Sequence, residues 1–195
     1  MHVLGISGSL RRDSHNTRLL RAAARLLPPG ADFELYDGLA ALPAYCEDID
    51  VDPAPEPVEH LRERIAGADA LLIATPEYNA SIPGALKNAI DWASRPFPDN
   101  SLREKPVAVI GASTGLFGAV WAQAELRKVL NHAGARVLED ELPVGLADGA
   151  FTDDGELAEA ELHERLTELV EALCNVTGAD DGVERRDRTP ALRAG

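Results

Sequence analysis

Five short apolar runs, at residues 3–6, 33–36, 69–74, 107–110 and 136–138, are separated by longer stretches with helical spacing. Runs of this length read as strands, and the near-continuous apolar ones as strands buried on both faces. Between and after them apolar residues recur every three or four positions: Leu19, Leu20, Ala23, Leu26 and Leu27; residues 58–65; Leu86, Ala89, Ile90 and Ala93; Val120, Ala124, Leu126 and Leu130; Leu162, Leu166, Leu169, Val170 and Leu173. Strand–helix alternation builds right-handed βαβ units, hence a doubly wound α/β domain: a parallel sheet with helices on both faces. The 195 residues suffice for one such domain with its own core. That domain is placed at residues 1–175. Residues 176–195 carry Arg, Asp and small residues without apolar periodicity, and are expected to form a disordered tail.

Breakers delimit these elements. Pro28-Pro29-Gly30 ends the first helix, Pro83 sits near the first turn of another, and Pro96 and Pro98 close it. Prolines at 43, 53, 55 and 57 keep residues 37–57 irregular. A loop this long points to a functional or lid role.

Charge narrows the partners. Lys and Arg total 19 against 33 Asp and Glu, a net charge of −14, the wrong sign for nucleic acid or an anionic membrane surface. Cys46 and Cys174 lie far apart without metal-ligand spacing, which fits a reducing cytoplasm. Arg11-Arg12 lacks the apolar segment an export signal needs after it, and no run approaches membrane-spanning length.

Open parallel sheets bind ligands beyond the carboxyl ends of their strands, near the point where strand order reverses. Three loops there are rich in Gly, Ser, Thr or Asn: residues 7–16, 75–83 and 111–118. The first, Gly8-Ser9-Leu10-Arg11-Arg12-Asp13-Ser14-His15-Asn16-Thr17, places hydroxyls, an amide and arginines before a helix N-terminus. Unpaired backbone N–H groups, the helix dipole and a guanidinium together suit a phosphate. Ser14 or Asn16 could equally cap the helix. Neither G-x-G-x-x-G nor a Walker-type G-x-x-x-x-G-K-[ST] string is present, which weakens dinucleotide-fold and ATPase readings.

Gly111-Ala112-Ser113-Thr114-Gly115 matches the G-x-S-x-G of a hydrolase elbow, with Asp148 and His163 downstream to complete a triad around Ser113. The chain is short for that fold, and no oxyanion segment of the HGGG type accompanies it. Asp48, Asp50 and Asp52 followed by Glu59 imitate a calcium loop, but Pro53 stands where that loop needs glycine. His2, His15, His60 and His132 show no ligand spacing and are assigned surface or capping roles.

The segment Thr75-Pro76-Glu77-Tyr78-Asn79-Ala80-Ser81-Ile82-Pro83-Gly84-Ala85-Leu86-Lys87-Asn88-Ala89-Ile90-Asp91-Trp92 resembles the signature of the NAD(P)H-dependent FMN reductases, a flavodoxin-like family that includes quinone and chromate reductases. Gly8 to Arg11 with Ser14 and Asn16, Leu42-Pro43 with Tyr45, and Gly111 to Gly115 with Gly118 and Gln123 extend the match over about residues 2–173. The resemblance implies a flavodoxin-like doubly wound five-stranded parallel sheet and an FMN cofactor. It implies NADPH or NADH as co-substrate, and hydride transfer through the flavin to a quinone, free flavin or other small electron acceptor by a ping-pong cycle. The flavin carries the hydride, so no catalytic side chain is required. Ser9, Arg11, Ser14, Asn16 and Thr17 would hold the phosphate. Pro76, Glu77, Tyr78 and Asn79 would run beneath the ring with backbone N–H groups toward its polar edge. Ser113, Thr114, Gly115 and Gly118 would flank the other side, their glycines allowing close approach. Relatives commonly form homodimers or homotetramers, which points to the helices after Pro83 and Gly118 as contacts. Trp121 stands where many relatives have a smaller or basic residue. A flavodoxin-type electron carrier without substrate turnover is the alternative the acidic surface would suit.

Overall fold

Strands β1 (His2–Ser7), β2 (Asp32–Tyr36), β3 (Ala70–Thr75), β4 (Pro106–Ala112) and β5 (Arg136–Val144) form one parallel sheet in the order β2-β1-β3-β4-β5. This is a computed structural model, and it describes residues 1–178. The chain builds outward from β1 to β2, then crosses back to β3 and continues to β4 and β5. Strand order therefore reverses between β1 and β3, and the loops at their carboxyl ends diverge to leave a crevice.

Helices α1 (His15–Ala24), α2 (Glu56–Gly67), α3 (Gly84–Ala93), α4 (Val120–His132) and α5 (Ala160–Gly178) cover both faces. On one face Leu61, Ile65, Leu86, Trp92, Leu126 and Leu130 pack against Leu4, Ile6, Leu71, Ile73, Val107 and Val109. On the other, Leu19, Leu20, Leu166, Leu169 and Val170 pack against Val3, Leu72, Ile110 and Leu142. Alternate strand residues thus feed two cores. Complete burial of a Leu or Ile side chain contributes about 1.5–3 kcal/mol, so the sheet centre is the rigid platform on which the loops stand.

Several boundaries differ from the sequence reading. β5 extends through residues 136–144 because it is an edge strand, with exposed Glu139 and Asp140 beside a register shift between Val107 and Val109. The charged residues fall where the pairing shifts register, after which the strand continues from Glu141 to Val144. Helix α1 stops at Ala24, and Leu26 and Leu27 reach the core from the turn beyond it. In α4 the buried stripe is Ala122, Gln123, Leu126 and Leu130, leaving Ala124 exposed. Helix α5 runs to Gly178, so residues 176–178 are helical; residues 179–195 of the expected tail lie outside the described residues. Among the described residues no helix is long and apolar enough to cross a membrane.

The proline-rich loop is tied to α2 and α3. It contains two short 3-10 turns, Gly38–Ala41 and Glu47–Ile49. Pro43 O accepts from both Trp92 Nε1 (2.8 Å) and Asn88 Nδ2 (2.9 Å), and Tyr45 N donates to Asn88 Oδ1 at 2.7 Å. The Tyr45 ring meets Trp92 edge-on at 4.9 Å. Asp50 receives Arg62 at 2.9 Å and Arg95 at 3.3 Å. Leu42-Pro43 and Tyr45 therefore serve to strap the loop onto α3.

Candidate functional site

The first loop leaves β1 and turns into α1. Ser14 is the N-cap, its hydroxyl accepting from Thr17 N at 3.2 Å. Thr17 Oγ1 in turn donates to Ser7 Oγ at 2.9 Å, and Ser9 Oγ accepts from Arg11 N at 3.3 Å. The backbone amides at the start of α1 have no intrahelical acceptor and sit at the positive end of its dipole. The Arg11 guanidinium donates to Asp13 O at 2.7 Å, folding it over its own loop.

Asn16 departs from the role expected of it. Its side chain is buried; Nδ2 donates to Ala112 O and Oδ1 accepts from Ala112 N, both at 2.9 Å. A buried amide must satisfy donor and acceptor alike, and both are engaged on β4. Asn16 thereby locks the first loop to the third, and its backbone N–H, in the first turn of α1, has no intrahelical acceptor.

In the second loop Tyr78 and Ser81 exchange backbone hydrogen bonds of 3.0 and 3.1 Å around Asn79 and Ala80, both with positive φ (54° and 58°). That is the pattern of a type I′ turn. The Glu77 carboxylate reaches the start of α4, accepting from Trp121 N and Ala122 N at 3.1 Å each. Ser81 Oγ and Ile82 N donate to Glu125 on the same helix. The second loop is thus clamped to α4 by two carboxylates.

The third loop is laced to the residues after β5. Ser113 N donates to Val144 O, Ala147 N to Ser113 O, and Leu146 N to Gly115 O, at 3.0–3.1 Å. Gln123, fully buried on α4, donates to Gly118 O at 3.0 Å and accepts from Leu142 N at 3.2 Å. Gly118 has φ +57°, and a Cβ there would lie 2.5 Å from the Pro143 backbone. Close packing on β5 requires that glycine, whereas a Cβ on Gly115 would meet only Ser113 Oγ, at 3.5 Å.

The alternative constellations are not assembled. The partner of Ser113 Oγ is Gly115 N at 3.2 Å, and Asp148 pairs with His15 rather than His163. Asp50, central to the calcium-like run, is held by two arginines. Among the described residues no group of three His, Cys, Asp or Glu is placed to hold a metal.

The three loops converge on a cleft of about 150 Å³. It gathers Ser9, Arg11, Ser14 and Asn16 from the first loop, Pro76, Glu77 and Tyr78 from the second, and Ser113 and Thr114 from the third. Thr17, Asn79, Gly115 and Gly118 are not among its lining residues. His15, assigned a surface or capping role, also lines the cleft; its position inside the phosphate-like loop was the available signal. Tyr78, which lines the cleft, is exposed, as are Leu116, Phe117, Trp121 and Leu146 on the third loop, the start of α4 and the segment after β5. Phe117 and Trp121 meet edge-to-face at 5.2 Å. Wider depressions of about 600–730 Å³ lie at the amino ends of the strands, between α3 and α4, and against β5, away from the switch point.

A sequence profile of the NADPH-dependent FMN reductase family matches residues 1–149. An NAD(P)H-dependent FMN reductase of Pseudomonas aeruginosa is 46% identical over 172 residues, 88% of this chain and 92% of that protein. A 2-hydroxy-1,4-benzoquinone reductase of a Burkholderia species is 49% identical over 129 residues, covering 66% of this chain and 69% of that protein. Among solved structures, the flavoenzyme NAD(P)H:(acceptor) oxidoreductase of Paracoccus denitrificans superposes with a TM-score of 0.80 at 38% identity, covering 91% of this chain and 97% of that one.

Proposed function

Because this chain belongs to the NADPH-dependent FMN reductase family, we propose that its three-loop cleft is the flavin site of an NAD(P)H-dependent oxidoreductase acting on small acceptors such as quinones or flavins. The observation that carries the reading is the convergence of a phosphate-type donor set with two backbone loops at the switch point of the sheet.

The residues fit FMN. Ser9, Arg11, the α1 amides at His15 and Asn16, and the hydroxyl of Ser14 form the end of the cleft suited to a phosphate monoester, supported by Thr17 through its bond to Ser7. Residues 76–79 and 113–115 present backbone and small side chains on either side, suited to a flat heterocycle. Bound FMN supplies the capacity to take a hydride from a nicotinamide and pass it to an acceptor. The chain's own work is orientation: Asn16 fixes the first loop to the third, and Glu77 fixes the second to α4. Pro76, Glu77, Tyr78 and Asn79, with Ser113, Thr114, Gly115 and Gly118, thus act through backbone placement. NAD(P)H and the acceptor would use the same open mouth in turn.

That exchange predicts parallel double-reciprocal lines when NADPH or NADH and p-benzoquinone are varied against each other; intersecting lines contradict it. We also assign the outer faces of α3 and α4 to a second copy of the chain, since Phe97 stands 75% exposed at the depression between them. Sedimentation as a monomer at micromolar concentration would contradict this. Cys46 and Cys174 are both free thiols, which supports placing the enzyme in a reducing compartment such as the cytoplasm.

A further inference from the structure

His15 occupies the first position of α1, directly after the cap. Its side chain is only 13% exposed, and its Nε2 lies 3.1 Å from Asp148 Oδ1. The ring stacks on Phe151 with centroids 6.3 Å apart and planes 7° from parallel. Arg18 covers Phe151 at 4.6 Å. The imidazole is therefore oriented by a carboxylate on one edge and a ring on one face. Its other nitrogen, Nδ1, is buried and meets no partner among the described residues. A buried ring nitrogen without a partner is uncommon and calls for a physical reason. The same residue lines the cleft beside Ser9, Arg11 and Ser14.

On the reading that this cleft holds FMN, we propose that His15 is a further ligand of the flavin phosphate, positioned by Asp148 and Phe151 and contacting it through Nδ1. The tautomer follows from the pairing: Nε2 faces a carboxylate and carries a proton. Nδ1 is then the free position, and a phosphate monoester suits it in either protonation state. It accepts from the imidazolium, or it donates its own hydroxyl proton to the neutral ring; the second phosphate ionisation lies near pH 6. Arg11, one of whose N–H groups donates to Asp13 O, would share the phosphate with His15, while Arg18 lies over Phe151. His15 also ties the phosphate loop to the segment after β5 that laces the third loop, so one residue links both sides of the site.

The test compares FMN with riboflavin, which lacks only the phosphate, by fluorescence titration of wild type, His15→Phe and Asp148→Asn. Phe retains the ring stacking and removes both nitrogens. FMN affinity should fall at least about tenfold in His15→Phe while riboflavin affinity changes less than twofold, a split that a purely structural role would not produce. Asp148→Asn should weaken FMN by a smaller factor in the same direction. Equal losses for both flavins, or no loss for FMN, would overturn the assignment. If wild type does not prefer FMN to riboflavin, the phosphate cleft itself falls, and the role of His15 with it. Should His15→Phe not fold, the imidazole nitrogen resonances of wild type decide: Nδ1 must shift on adding FMN or inorganic phosphate and not on adding riboflavin, and an unmoved Nδ1 overturns the proposal.

Discussion

The side-chain amide of Asn16 and the backbone of Ala112 hydrogen-bond reciprocally, both bonds 2.9 Å long, across 96 residues of sequence. This pair joins the start of α1 to the end of β4, the two edges between which a ligand would lie.

Asn16→Ala should therefore destabilise the protein strongly. Removing the amide leaves the N–H and C=O of Ala112 buried and unpaired, at about 1–3 kcal/mol each, so a loss of at least about 2 kcal/mol is expected. Urea unfolding of wild type and variant measures it. A change under 0.5 kcal/mol would show that water or a shift of the loop replaces both bonds.

The turn at Asn79 and Ala80 should respond in the opposite sense. Ala80 holds φ 58°, a left-handed conformation that costs a residue with a Cβ roughly 1–2 kcal/mol. Ala80→Gly should raise stability by about 1 kcal/mol after the extra unfolded-state entropy of glycine is counted, visible as a higher thermal midpoint. A lower midpoint would mean that the Ala80 methyl makes packing contacts worth more than the strain.

Asp50 gives a pH dependence whose sign is fixed. The hydrogen bond from Arg62, with Arg95 beside it, holds the carboxyl below its ordinary value against the opposing effect of desolvation. A lowered acid pKa means the native state favours the carboxylate. Its contribution is complete above the ordinary aspartate range and disappears as pH falls through the lowered value. Asp50→Asn should lower stability at pH 7 by about 1–2 kcal/mol, and the gap to wild type should close on acidification. A gap that is unchanged at acid pH would contradict the ion pair as its source.

Much of this architecture is legible in the sequence because buried parallel strands and amphipathic helices leave strong patterns. The fully buried runs of β3 and β4 and the leucines of α5 follow directly from apolar spacing. The end of β5 is not, since exposed Glu139 and Asp140 at its register shift break the apolar run before the strand ends. The three loops of the site are legible as glycine- and hydroxyl-rich segments after strands, but the roles inside them are not. Local sequence cannot show that the Glu77 carboxylate caps a helix beginning more than forty residues later, nor that buried Gln123 joins Gly118 to Leu142. His15 and Asp148 likewise meet across 133 positions. Long-range polar pairs depend on tertiary placement alone, and they are what shape the cleft.

The central claim is that the cleft binds FMN and that nicotinamide nucleotide reduces it there. The most direct measurement is the absorbance spectrum of the purified chain with one equivalent of FMN under anaerobic conditions, before and after addition of NADPH or NADH. The account predicts a bound oxidised flavin whose band near 450 nm bleaches on mixing with at least one nucleotide and returns when a quinone is added. Flavin that binds but stays oxidised with both nucleotides would point to an electron carrier, and flavin that does not bind would contradict the site itself.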